Sequence, residues 1–279
     1  MIAAKKRFGQ NFLKDSTVVA KIIQSMPKSS NKIVEIGPGL GDLTKKLLEL
    51  KDVVAYEIDR DLCAHLQKEF ADRIETGRLE LRCGDVLDHW QDHLIEEKYD
   101  LVANLPYYVA TNIVLKALED SNCEHILVML QKEVADKFSA KPKEREFSSL
   151  SVLAQSAGEV KRLFIVKPSS FSPAPKVDSA VLLIAKERSL KDEGFKEFLK
   201  AAFSQPRKKL LKNLSARYDK ELLNRIFSEL GLDQNIRPHE ATTSIYHRIY
   251  ATLKEKIDES KQLSTDRTKN SAKPTKPAK

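Results

Sequence analysis

The sequence predicts an α/β protein: an open, mostly parallel, Rossmann-like sheet with helices on both faces, followed by a small all-α C-terminal domain. Three observations predict it. Short apolar runs alternate with amphipathic helical stretches from Ile33 to Leu130, the pattern of strands joined by helical crossovers. Glycines or polar residues (Gly37, Glu57, Asp85, Asn104) follow four of those runs, where an open sheet binds its ligands. From about Lys186 the pattern becomes helical, with no β-branched runs. The expected organisation is a sheet domain over 1–185, a helical domain over 186–257 and a basic, disordered tail over 258–279.

The first segment carries Lys5, Lys6, Arg7 and Lys14 with no acid, interleaved with Phe8 and Phe12. Basic and aromatic residues together suit contact with a nucleic-acid backbone and its bases; a terminus that folds over a ligand would read the same. Asp15 or Ser16 is placed to cap a helix over Thr17–Ser25, whose Val18, Val19, Ile22 and Ile23 share a face. The run Ile33-Val34-Glu35-Ile36 then meets Gly37, Gly39 and Gly41 before a helical DLTKKLLEL. Glycines serve a sharp turn or the close approach of a ligand. The next run, Val53–Tyr56, ends at Glu57, placed to accept two ribose hydroxyls. The GxGxG spacing differs from the GxGxxG of dinucleotide enzymes and points to S-adenosylmethionine, which has no pyrophosphate. Taken alone, the stretch reads equally as a structural turn.

Asp61–Phe70 reads as a helix and Leu79–Arg82 as a strand leading to Asp85, which either accepts from an exocyclic amine or caps a turn. Tyr99–Ala103 forms the fourth strand and runs into Asn104-Leu105-Pro106-Tyr107; Ile126–Leu130 forms a fifth. Val160–Val166 and Ala180–Ala185 read as two more strands. The proline-rich loop between them is stiff enough to hold Phe171 in a fixed pose. Beyond it, Phe195, Phe198, Leu199, Ala202 and Phe203 make an apolar helix face, and Arg207, Lys208, Lys209 and Lys212 a basic one.

Composition narrows the classes. No run of 18 apolar residues exists, so no membrane helix is expected, and the N-terminus lacks the apolar core of a secretory signal. Cys63, Cys83 and Cys123 show no metal-ligand spacing, so a reducing, cytoplasmic setting without a metal is expected. The net charge of +8 is uneven: residues 186–279 hold 22 Lys/Arg against 13 Asp/Glu, while 1–185 are near neutral. Concentrated positive charge suits a phosphate backbone.

The most specific chemistry lies at NLPY. An adenine amino nitrogen is a poor nucleophile because its lone pair is delocalised into the ring. Two acceptors for its N–H bonds, the Asn104 side-chain carbonyl and the Leu105 backbone carbonyl, would pull it towards tetrahedral geometry. Pro106 fixes the turn and Tyr107 offers a face for the base. Acceptors fixed in advance around the nitrogen stabilise the positive charge arriving with a methyl group.

At RFGQNFL, EIGPGLGDLT, EID, GDV, NLPY and FSPAPKVDSAV the chain resembles the ribosomal-RNA adenine dimethyltransferases, and within them the small-subunit type. The resemblance implies S-adenosylmethionine contacts at Asn11, Leu13, Gly37, Gly39, Glu57, Asp85 and Asn104. It implies target-adenine contacts at Asn104, Leu105, Tyr107 and Phe171, with Tyr107 and Phe171 stacking. RNA contacts are expected from Lys5, Lys6, Arg7, Arg207, Lys208, Lys209 and Lys212. The implied reaction is N6,N6-dimethylation of two adjacent adenosines in the 3′-terminal hairpin of 16S rRNA in immature 30S subunits, by a monomer needing no metal. Two departures stand out: Tyr108 follows NLPY where relatives carry a small polar pair, and Pro206 replaces a common basic residue. The rivals are a large-subunit enzyme of the antibiotic-resistance type, a DNA adenine methyltransferase, and an RNA-binding assembly factor without turnover.

Overall fold

A computed structural model describes residue 5 and residues 9–270. The chain opens with β1 (Phe12–Leu13) and α1 (Ser16–Gln24), which Asp15 caps through its side chain. Strands and helices then alternate: β2 (Lys32–Ile36), α2 (Asp42–Leu47), β3 (Val53–Glu57), α3 (Arg60–Glu69), α4 (Ala71–Glu75), β4 (Leu79–Cys83), α5 (Val86–His89), β5 (Tyr99–Asn104), α6 (Ala110–Glu119) and β6 (Cys123–Gln131). After α7 (Lys132–Ser139) and α8 (Ser149–Ala157) come β7 (Gly158–Val166), the short β8 (Phe171–Ser172) and β9 (Ser179–Lys186). Four helices follow: α9 (Glu193–Ala202), α10 (Leu210–Leu214), α11 (Lys220–Glu229) and α12 (Thr243–Asn270).

The main sheet has seven strands in the order β4-β3-β2-β5-β6-β9-β7. The first five are parallel, and every residue of β3 is buried, as both faces of a helix-covered sheet require. β9 runs antiparallel to both β6 and β7, so the sheet is mixed. β7 and β9 are joined by residues 167–178, which hold a short 3-10 turn and β8. β7 stands at the edge and is largely solvated. β1 pairs instead with β8, bringing Leu13 opposite Phe171.

The chain divides into two compact units, one of residues 1–140 and 153–191, the other of 141–152 and 192–279. The expected boundary at 185 therefore shifts, and a segment expected in the sheet domain joins the helical unit. The Phe147 ring lies 6.2 Å from Phe203, and the Lys143 N–H donates to the His239 carbonyl (2.6 Å), which ties that segment in place. The helical core is aromatic: Phe195, Phe198, Phe203, Tyr246 and Tyr250 pack on one another.

Two expectations are corrected. The tail expected to be disordered from 258 continues as α12 to Asn270, because no glycine or proline interrupts the stretch before Pro274. Residues 271–279 lie outside the described ones. Cys63 and Cys83, whose number and spacing lead to the expectation of a reducing setting, form a disulfide. In the β3–β4 register Glu57 stands opposite Cys83, so the start of α3 and the end of β4 are neighbours. Among the described residues no helix is long and apolar enough to cross a membrane.

Candidate active site

A cleft opens at the carboxyl ends of the parallel strands, lined in turn by the N-terminal segment, the glycine turn, the end of β3, the β4–α5 turn and NLPY. Gly37, Gly39 and Gly41 all have positive φ. At Gly41 (φ 88°) a Cβ would stand 2.6 Å from the Phe70 ring, so packing beneath the turn demands glycine there. At Gly39 (φ 63°) a Cβ would press on Phe12 of the N-terminal segment at 3.1 Å. The turn is thus fitted to its protein neighbours as well as to the cleft.

Glu57 is buried at the end of β3. Its carboxylate accepts from the Gly39 N–H (3.1 Å) and the Asp59 N–H (2.9 Å). Burial pushes its pKa above the ordinary carboxylate value, and these two donors offset part of that. Each oxygen keeps acceptor capacity, as a ribose diol would require. Asp85 caps α5 by accepting from the Leu87 N–H (2.9 Å) and also lines the cleft.

Asn104 ends β5. Its Nδ2 donates to the backbone carbonyl of Asn11 (3.3 Å), which fixes the amide's orientation because only the nitrogen can face a carbonyl. Oδ1 has no partner among the described residues and remains an acceptor. The Leu105 N–H donates to Met129 O (3.0 Å), locking the turn to β6. The Tyr107 hydroxyl meets Ser179 Oγ at 2.6 Å; burial raises its pKa, and the serine offsets part of the rise. Tyr108 is 60% exposed at the cleft, where burial, then Asp85 and Glu57, raise its hydroxyl pKa.

The N-terminal segment is strapped across this end of the sheet. Lys5 Nζ pairs with Asp59 (2.6 Å) and Asp61 (2.5 Å), Gln10 Nε2 donates to Asp59 (2.9 Å), and Lys14 pairs with Asp42 (2.8 Å). Lys5, expected to contact RNA, is thus paired with acids of its own chain. Lys6 and Arg7 lie outside the described residues.

The structure brings Asn11, Leu13, Gly37, Gly39, Glu57, Asp85, Asn104, Leu105, Pro106 and Tyr107 to one cleft. It places Phe171 elsewhere: the ring is buried in the core with Leu13, not on the cleft wall. Arg207, Lys208, Lys209 and Lys212 are exposed on the helical unit. Sequence reading missed Ser179, Gln10 and Asp59, whose partners lie far along the chain. It also missed Glu35, a buried carboxyl on the cleft wall whose pKa burial pushes up to about 8. The open acceptors of Glu57, Asp85 and Asn104 suit a nucleoside carrying a cationic methyl donor, so the residues present fit S-adenosylmethionine.

Comparison with known proteins agrees. Residues 1–255 match the family model for ribosomal RNA adenine dimethylase. The chain is 57% identical over 249 residues to ribosomal RNA small subunit methyltransferase A of Sulfurimonas denitrificans, covering 89% of this chain and 93% of the relative. It is 51% identical over 259 residues to the protein of the same name from Campylobacter jejuni, covering 91% and 97%. Among solved structures, a dimethyladenosine transferase from Plasmodium falciparum superposes with a TM-score of 0.73 at 24% identity, covering 85% of this chain and 95% of that one. The 23S rRNA methyltransferase ErmE gives 0.68 at 22%, covering 88% and 100%. These two likenesses speak for the fold. The family match and the close relatives decide the rest: the chain belongs to the ribosomal RNA adenine dimethylase family.

Proposed function

We propose that this protein transfers methyl groups from S-adenosylmethionine to N6 of two adjacent adenosines in the 3′-terminal hairpin loop of 16S rRNA. It acts as a cytoplasmic monomer on immature 30S subunits and dimethylates both bases. The observation that carries this reading is the acceptor at Asn104, an amide whose nitrogen is held by the Asn11 carbonyl so that its oxygen is left for the N6 hydrogens. S-adenosylmethionine supplies an electrophilic methyl on sulfur, and Glu57 and Asp85 hold its nucleoside. Asn104 Oδ1 and the Leu105 carbonyl orient the amino group, and Tyr107 supplies the stacking face. Phe171, buried on β8 opposite Leu13 of β1, supports the N-terminal strap, in place of the expected stacking contact. The curated relatives' names specify the small subunit, which favours this substrate over large-subunit rRNA.

The test is methyl transfer from labelled S-adenosylmethionine to small-subunit particles lacking the modification, followed by digestion of the RNA to nucleosides. N6,N6-dimethyladenosine from small-subunit rRNA is expected. Label found only in large-subunit rRNA, or tight particle binding with no label, would overturn the reading.

A further inference from the structure

One end of the helical unit is assembled from three exposed turns that are distant in sequence. The Lys143 N–H donates to His239 O (2.6 Å), and the Leu210 N–H donates to Ile236 O (2.8 Å). Phe147 packs on Phe203, which caps α9 directly before the basic stretch at 207–209. Residues 141–146, 204–209 and 236–241 therefore share one face.

That face carries a cluster of exposed cations. Elsewhere some exposed lysines pair with a neighbouring acid, as in Lys32–Glu97, Lys46–Glu49 and Lys161–Glu159, while others, such as Lys21, Lys45 and Lys68, have no acid partner among the described residues. Here Lys141, Lys143, Arg145, Arg207, Lys208 and Arg237 are exposed, and none has a carboxylate partner among the described residues. Three acids lie in the same turns: Glu146 is exposed, with no cation partner among the described residues, and Glu144 and Glu240 face their own backbone. Glu144 accepts from the Lys141 N–H (2.7 Å) and Glu240 from the Arg237 N–H (2.7 Å), so neither carboxylate closes on a cation of the face. Lys143 holds a φ of 77°, a conformation L residues rarely adopt, kept here by its bond to His239.

We propose that the turn at 141–146 belongs to an RNA-backbone-binding face, acting with 207–209 and Arg237. The sequence assigned this turn to the sheet domain; the fold hands it to the basic one. Unpaired, pre-positioned cations are what phosphate binding requires, since a lysine already paired must first surrender its acid. The proposal rests on the RNA-substrate reading above and adds Lys141, Lys143, Arg145 and Arg237 to it.

The test compares the full-length protein with Lys141→Gln/Lys143→Gln/Arg145→Gln. The probe is a hairpin RNA of the small-subunit 3′ end, with Kd measured across KCl concentrations. A second triple variant, Lys32→Gln/Lys46→Gln/Lys161→Gln, removes the same charge from lysines paired with acids. Thermal melting and S-adenosylmethionine binding confirm that both variants are folded. The 141–145 variant should weaken binding about 10- to 100-fold near 0.1 M salt and flatten the log–log salt slope by about two. The control should keep the wild-type slope. Equal losses in both variants would reduce the effect to net charge and overturn the proposal, as would a wild-type slope in the 141–145 variant. Unchanged hairpin binding with weakened particle binding would assign the turn to a protein partner and also overturn it. Salt-dependent hairpin binding without methyl transfer by the wild type would instead sink only the enzymatic reading.

Discussion

The two ends of the central sheet use buried and half-buried polar groups in opposite ways. At the amino ends, Asp120 is 1% exposed, and its carboxylate is saturated. It accepts from Trp90 Nε1 (3.0 Å), the Leu94 N–H (2.9 Å), the Tyr99 hydroxyl (2.8 Å) and the Asn122 N–H (2.8 Å), with His93 Nδ1 at 3.1 Å. Burial alone would push its pKa up, but these donors hold it below the ordinary carboxylate value. Nearby, Asp100 is likewise engaged by Asn31 (3.0 Å) and His125 (2.8 Å), and by Ser29. At the carboxyl ends, Glu57 and Asp85 are only partly satisfied, and Asn104 Oδ1 has no partner among the described residues. A polar group that serves the fold is saturated by the fold. One that serves a ligand is oriented but left with acceptor capacity.

The largest expected effect lies at the saturated end. Asp120→Ala strands several buried donors and should cost about 3–5 kcal/mol of unfolding free energy, read by denaturant titration. Methyl transfer per folded molecule should be unchanged. A stable variant that lost turnover would break the comparison. The pH signs also separate the two ends. Because the folded pKa of Asp120 is depressed, its stabilisation is present above about 3.8, the unfolded value, and is lost as pH falls below it. Glu35 on the cleft wall behaves oppositely. Its folded pKa of about 8 exceeds 4.5, so stability falls as pH rises from 4.5 through about 8, with a slope of at most about 1.4 kcal/mol per pH unit. Glu35→Gln should flatten that fall in melting curves taken between pH 5 and 9; an unaltered pH profile would contradict the buried, neutral carboxyl.

A smaller effect is expected where the two kinds of group touch. Ser179→Ala removes the hydrogen bond that fixes the Tyr107 ring, worth about 0.5–1.5 kcal/mol. It should lower kcat several-fold while leaving S-adenosylmethionine affinity and melting temperature close to wild type. A loss in cofactor affinity alone would show that Tyr107 serves the other side of the cleft.

The legible parts of this molecule are those written locally. Val53–Tyr56 announces a buried strand by continuous apolarity. The glycine turn and NLPY announce strand ends by residues a strand interior would not carry. Asp15 declares the start of α1 by its capping chemistry. What stayed hidden depends on pairing across the chain. Nothing near Tyr107 points to Ser179, and nothing in Phe171 distinguishes a stacking ring from a core ring; β1–β8 pairing decides that. The spacing of Cys63 and Cys83 carries no sign that β3 and β4 lie side by side. The segment at 141–152 interrupts the sheet pattern, yet only Phe147 against Phe203 and Lys143 against His239 assign it to the helical unit. At Gly41 the sequence correctly demanded glycine, but the neighbour that demands it is Phe70 rather than a ligand.

The most direct test of the unsaturated acceptor is Asn104→Ala, assayed in a single turnover with labelled S-adenosylmethionine and unmethylated small-subunit particles, alongside particle binding and thermal melting. The predicted result is a loss of about 10²–10³-fold in the methyl-transfer rate with particle affinity and melting temperature near wild type. Methyl transfer at the wild-type rate would contradict the account, because the oxygen left open at the end of β5 would then have no part in the reaction.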